Sequence, residues 1–142
     1  MHYRNKIFCG NNLDVLKTLP ERCAHMSVTS PPYFNTRVYD APPVDWDGWC
    51  GTLGNEPSLE FYIQHLSLIF SELKRVLRDD GTLWLNLDDG YAGSGIRNYP
   101  YKRKGAGLKD KDQCLVPHRM ALSLQGYAVI YADEIWKLAE TL

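Results

Sequence analysis

The sequence predicts an α/β fold, and three observations carry that prediction. An apolar run at Lys6-Ile7-Phe8-Cys9, an amphipathic segment over Leu13 to Leu19 and a β-branched run over Ala24 to Thr29 follow one another at the start of the chain. That is the strand–helix–strand alternation of α/β chains. A long helical period over Ser58 to Leu77 then leads straight into an apolar strand over Thr82 to Leu87. A further helical stretch, Leu115 to Gln125, precedes another apolar run, Tyr127 to Ala132, which continues weakly through Ile135-Trp136.

Each element has a local reason. Gly10-Asn11-Asn12 ends the first apolar run as a turn, and Asn12 is an N-cap candidate with Asp14 in the first helical turn. Pro20 stops that helix at or before Leu19. Over Ser58 to Leu77 the apolar residues Leu59, Tyr62, Ile63, Leu66, Ile69, Phe70, Leu73, Val76 and Leu77 recur at three and four. This spacing predicts one broad buried face. Ser58 is the cap, Glu60 suits the first turn, and Lys74, Arg75 and Arg78 suit the last. Asp79-Asp80-Gly81 reads as the stop. In Thr82 to Leu87 apolar residues of both parities predict a strand covered on both faces. Pro117 sits near the start of the third helix and Gly126 just past its end.

The chain has 142 residues, the size of one ordinary domain, and 44% of them are hydrophobic. Basic residues number 16 against 17 acidic, so no global field points to a polyanion. A nucleic-acid partner would have to meet a local patch. Cys9, Cys23, Cys50 and Cys114 are widely separated and lack ligand spacing. They read as reduced thiols of a cytoplasmic protein, with neither disulfide nor metal expected. No charged lead with an apolar run opens the chain, and charges interrupt every apolar stretch. Neither a signal peptide nor a membrane span is expected.

The chemistry concentrates where the Ala24–Thr29 strand meets Ser30-Pro31-Pro32-Tyr33-Phe34. The prolines have no N–H for a ladder, and Pro32 holds Pro31 extended. A stiff loop therefore stands at the carboxyl end of a strand, the edge where open α/β sheets bind ligands. One reading is a platform: Tyr33 and Phe34 offer flat faces, and the Ser30 hydroxyl lies beside a fixed carbonyl. The other is an ordinary proline turn. Residues 35–57 have no period and read as a long loop. Its aromatics Tyr39, Trp46 and Trp49 favour a partly mobile active-site loop over a solvated one.

A second site-like feature is Asp88-Asp89-Gly90-Tyr91, two acids at the end of the Thr82–Leu87 strand, unless it is a simple acidic turn. Gly90, Gly93 and Gly95 fail the dinucleotide fingerprint in spacing and context. The basic loop at 96–112 carries Arg97, Lys102, Arg103, Lys104, Lys109 and Lys111, interleaved with Tyr99 and Tyr101. Such a stretch can follow a phosphate backbone while tyrosines touch bases, or it can be a solvated loop.

Taken in order, these pieces resemble the amino-methylating DNA methyltransferases of restriction-modification systems and phages. They are most similar to the class in which the catalytic motif precedes the cofactor glycine motif. The Thr29-Ser30-Pro31-Pro32-Tyr33 form is similar to that of cytosine-N4 enzymes, although some adenine-N6 enzymes carry it. The resemblance implies a Rossmann-like sheet, S-adenosylmethionine as cofactor and double-stranded DNA as partner. It implies a base flipped from the duplex, whose exocyclic amine attacks the methyl group directly. In this reading Ser30 and the Pro31 carbonyl accept the amine hydrogens, Pro32 stiffens the loop and Tyr33 stacks. Asp89 orients the base, and Gly10 and Asn11 lie on the cofactor side. Arg97, Lys102, Arg103 and Lys104 meet DNA.

The sequence departs from the family pattern at three places. Asn11 stands where relatives place an aspartate, and Asp88 where they have glycine. No Phe-x-Gly-x-Gly motif occurs. The expectation is a partial methyltransferase sheet: residues 1–142 as the catalytic, target-base portion, truncated or split. Such a chain would associate with itself or with a complementing subunit, bind cofactor weakly alone, or persist as a non-catalytic binding remnant.

Overall fold

The computed structural model describes residues 3–93 and 108–125. Among the described residues the elements run α1 (Asn12–Thr18), β1 (Ala24–Thr29), β2 (Val44–Asp45), β3 (Cys50–Gly51), α2 (Leu59–Val76), β4 (Leu77–Leu85) and α3 (Val116–Leu124). β1 and β4 form a small parallel sheet, and β2 and β3 a separate antiparallel hairpin. The architecture is thus mixed α/β, with α2 as the crossover between two parallel strands.

α2 holds the core together. Its stripe of Leu59, Tyr62, Leu66, Ile69, Phe70, Leu73 and Val76 is buried, as the helical period predicts. Val116 and Met120 of α3 join it, and Leu83 and Leu85 of β4 pack against it. The Ser58 hydroxyl caps the helix by accepting from the Phe61 N–H at 3.3 Å. Polar contacts fix the neighbours. The Ser67 hydroxyl donates to the Ile63 carbonyl and lies 2.6 Å from the Ser123 hydroxyl of α3. The Arg75 guanidinium donates to the Leu16 and Leu19 carbonyls, closing the end of α1 from another helix.

Several sequence expectations need correction. Lys6–Cys9 is not a strand: Ile7 and Phe8 are exposed and no described strand pairs with them. A ladder needs a partner as well as propensity. The cap of α1 is Asn11, not Asn12: Asn11 Oδ1 accepts from the Leu13 N–H at 2.9 Å. β4 begins at Leu77, directly after α2, because the Arg22 and Cys23 N–H groups take the Arg75 and Val76 carbonyls. Asp79-Asp80-Gly81 survives as an irregularity inside β4, where the register passes from Ala24↔Leu77 to Met26↔Thr82. Nor is β4 covered on both faces. Val28 and Trp84, paired in register, are 70% and 63% exposed, since α2 covers only the opposite face among the described residues.

The expected long loop at 35–57 is not structureless. It folds into the β2–β3 hairpin, closed by the Trp46 N–H donating to the Trp49 carbonyl at 2.8 Å. Both indoles then stack on His65 of α2. The strand expected over Tyr127 to Ala132 lies outside the described residues.

Leu66 is fully buried at the centre of α2. Leu66→Ala should therefore lower the unfolding free energy by about 2–5 kcal/mol. Urea denaturation checks this, and a loss under about 1 kcal/mol would mean that the α2 stripe does not carry the core.

Candidate active site

Parallel pairing brings two chain segments to one edge. Thr29 is opposite Leu85, and the Asn86 N–H donates to the Thr29 carbonyl at 3.0 Å. Ser30 to Tyr33 and Asn86 to Asp89 therefore leave the same carboxyl edge of the sheet, the ligand-binding edge of open α/β folds.

Ser30 is exposed, and its Oγ lies 3.1 Å from the Tyr33 hydroxyl. A hydroxyl has one hydrogen and two lone pairs, so either direction of that bond leaves Ser30 able to accept another hydrogen. Behind Ser30 the backbone is anchored. The Tyr62 hydroxyl donates to the Pro32 carbonyl at 2.8 Å, and the Phe34 ring packs on Tyr62 at 5.4 Å between centroids. Burial, and then the Glu56 charge, push the Tyr62 hydroxyl well above its ordinary pKa, so it stays a donor.

A second anchor lies in the segment before α2. The Asn35 N–H donates to the Gly54 carbonyl at 2.7 Å. Gly54 has φ +90°, and a Cβ there would stand 2.9 Å from the Tyr33 carbonyl and 3.1 Å from Pro32 Cβ. Only glycine permits both the conformation and the approach. The Gly54 N–H in turn donates to Glu56 Oε2 at 2.8 Å.

Asp89 holds structure as well as charge. Its Oδ1 accepts from the Gly90 and Val116 N–H groups, and Oδ2 from the Leu115 N–H. Leu115 precedes α3 in the left-handed conformation with no side-chain cap of its own. Asp89 thus caps α3 across the chain, an anion where the helix dipole favours one. A carboxylate has about four lone-pair sites, so about one is left for a ligand. Buried Cys114 lies nearby, and burial and the Asp89 charge hold its thiol pKa up.

The other expected site residues fall as follows. Asn11 caps α1 and is half-buried; Gly10 before it is exposed. The Asn11 side-chain carbonyl keeps one lone pair beyond the Leu13 bond, so it can accept from one further N–H donor. Arg97, Lys102, Arg103 and Lys104 lie outside the described residues. The two ends of their segment are joined: the Ala92 N–H donates to the Asp112 carbonyl and the Lys111 N–H to the Ala92 carbonyl. Sequence reasoning missed Gly54, Glu56 and His65, and read Tyr62 only as core.

Tyr62→Phe should cost about 1–3 kcal/mol, because it leaves the Pro32 carbonyl without its donor while the ring still packs. Thermal unfolding measures this; an unchanged midpoint would remove Tyr62 as an anchor of the motif.

Comparison with known proteins gives the family. The DNA methylase family matches residues 24–139, the span that holds both segments of the sheet edge. The chain is 42% identical over 145 residues to the Type II methyltransferase M.Cfr9I of Citrobacter freundii, covering 92% of this chain and 45% of that protein. It is 39% identical over 144 residues to M.XycI of Xanthomonas campestris pv. cyanopsidis, with 92% and 45% covered. It is 35% identical over 144 residues to M.SmaI of Serratia marcescens, with 92% and 47% covered. The chain therefore spans just under half the length of these relatives. No solved structure matches it. The match over most of the chain, with the Thr-Ser-Pro-Pro-Tyr segment anchored at the sheet edge, makes this chain a member of the amino-methylating DNA methylase family.

Proposed function

We propose that this chain is the target-base portion of a Type II DNA methyltransferase that methylates the exocyclic amine of a flipped base, cytosine N4. The observation that carries the reading is the fixed hydroxyl at the sheet edge: Ser30 held by Tyr33 in front and by the Tyr62–Pro32 bond behind. The choice of cytosine N4 rests on the Thr-Ser-Pro-Pro-Tyr form.

The chemical difficulty is the amine itself. Its lone pair is delocalised into the base ring and is a poor nucleophile. Acceptors on its hydrogens favour a pyramidal nitrogen with an available lone pair, and they act most strongly as the bond to carbon forms. Ser30 Oγ and the Pro31 carbonyl are those acceptors. Pro32 fixes the carbonyl beside Ser30, and Tyr33 orients the Ser30 hydroxyl while offering its ring to the base. Asp89 has about one lone-pair site left for the base edge. S-adenosylmethionine supplies an electrophilic methyl group when bound. Gly10 and Asn11 are the residues assigned to it, with Asn11 accepting from the adenine amine without the charge assistance of an aspartate. Forming the nitrogen–carbon bond leaves the amine with a proton to lose, which passes to solvent.

Ser30→Ala removes the acceptor with little change of shape. In a complex reconstituted with the complementing portion, single-turnover methyl transfer to duplex DNA should fall by roughly tenfold to a thousandfold, the scale of one oriented polar contact in a dry site. DNA affinity should stay nearly constant, because phosphate contacts dominate it. Digestion of the product distinguishes N4-methylcytosine from N6-methyladenine. An unchanged transfer rate would sink the assignment of Ser30.

The basic segment is assigned to the DNA backbone. Replacing Lys102, Arg103 and Lys104 with alanine should weaken binding similarly across sequences. The slope of log affinity against log salt should drop by roughly one for each phosphate that the variant no longer neutralises. Titrations at several salt concentrations test this, and an identical slope would return the segment to a solvated loop.

A further inference from the structure

Glu56 and His65 are the most deeply buried ionisable pair among the described residues, at 0% and 3% exposure. Neither touches Ser30, and the mechanism above does not use them. Glu56 Oε1 meets His65 Nδ1 at 3.1 Å, and Oε2 accepts from the Gly54 N–H. With Glu56 ionised the carboxylate only accepts, and the ring then donates through Nδ1–H. Two indoles fix the ring: Trp46 stacks at 4.5 Å and 16°, and Trp49 at 5.6 Å and 17°.

Burying such a pair is weak evidence for stability, since apolar replacements of similar volume often serve as well. Its geometric consequence is more specific. The carboxylate clamps Gly54 from one side. On the other side the Gly54 backbone lies against Pro32 and Tyr33 and accepts from the Asn35 N–H. The Glu56 charge also acts on Tyr62, whose hydroxyl holds the Pro32 carbonyl. Through Gly54, the second anchor of the motif runs back to one carboxylate.

We infer that Glu56, oriented by His65 and its two tryptophans, is a positioning residue that sets the height of the Ser30–Tyr33 segment at the sheet edge through the Gly54 backbone. The inference rests on the methyl-transfer reading for its functional consequence. It does not rest on it for the placement of the segment.

The test uses the full chain, reconstituted with its complementing portion for the rate measurements, and two variants. Glu56→Ala removes both acceptor oxygens. Glu56→Gln keeps a carbonyl for the Gly54 N–H and can turn its NH2 toward the imidazole. Glu56→Ala should slow single-turnover methyl transfer at saturating DNA by about ten- to a hundredfold, the scale of a remote misplacement near an ångström. DNA half-saturation should barely change, and the backbone amide signals of Tyr33 and Asn35 should shift. Glu56→Gln should recover most of the rate and the parent amide positions. A purely structural role would lower the melting temperature of both variants and leave the rate of the folded protein alone, which would overturn the inference.

Should Glu56→Ala not fold, amide hydrogen exchange in the parent decides. Slow exchange at Gly54 and Asn35 is expected, and fast exchange at both would overturn the clamp. A complex reconstituted with the complementing portion that transfers no methyl group, with amides that still respond to Glu56, would defeat the functional reading and leave the positioning in place.

Discussion

The Tyr62 hydroxyl donating to the Pro32 carbonyl at 2.8 Å closes a geometric circuit on which the rest of the site depends. Tyr62 belongs to α2, and α2 runs into β4 with no linker between Val76 and Leu77. β4 pairs with β1 in parallel, and β1 ends at Thr29, one residue before Ser30. The chain thus returns from Ser30 through Pro32, Tyr62, α2 and β4 to the residue preceding Ser30. Every joint in the circuit is a hydrogen bond or a packed helix. A loop tied only to its own strand would have a soft backbone torsion at each residue outside the prolines. Here the core fixes the loop instead, so the same burial that stabilises α2 also positions the hydroxyl.

Much of this was legible in the sequence, for definable reasons. The period of α2 and the Ser58 cap located that helix to within a residue, because both signals are local. The β-branched run before Ser30 marked β1, and Pro117 marked the start of α3. What failed was non-local. Lys6–Cys9 has strand composition, but no described strand pairs with it. β4 starts early because residues before β1 take the last carbonyls of α2. Trp46 and Trp49 looked like loop aromatics because their partner, His65, lies on a later helix.

The candidate site divides in the same way. Ser30 to Tyr33 stood out because two prolines after a strand need a reason. Tyr62 could not, since it falls on the apolar stripe of α2 and its hydroxyl is invisible to a hydrophobic period. Glu56 sits just before a capped helix and reads as an ordinary acid near an N-terminus. Gly54 was one glycine among several in an irregular stretch. Its signal is the positive φ and the 2.9 Å approach to the Tyr33 carbonyl, neither of which a sequence carries.

Asp89 shows how one side chain can join two parts of such a site. Its position after β4 made it a candidate to hold a base, while its bonds tie it to Gly90, Leu115 and Val116. The two roles compete for lone pairs, and three N–H donors leave room for about one more. They also support each other. A carboxylate already fixed by backbone donors loses little rotamer freedom when a further donor arrives, and ordering an unfixed side chain would cost up to about 2 kcal/mol. The acid is therefore pre-organised by the helix it caps. Residues 91–92 and 111–113, which pair between Asp89 and α3, share that anchor. Any displacement of α3 would consequently be felt both at the sheet edge and at the base of the basic segment.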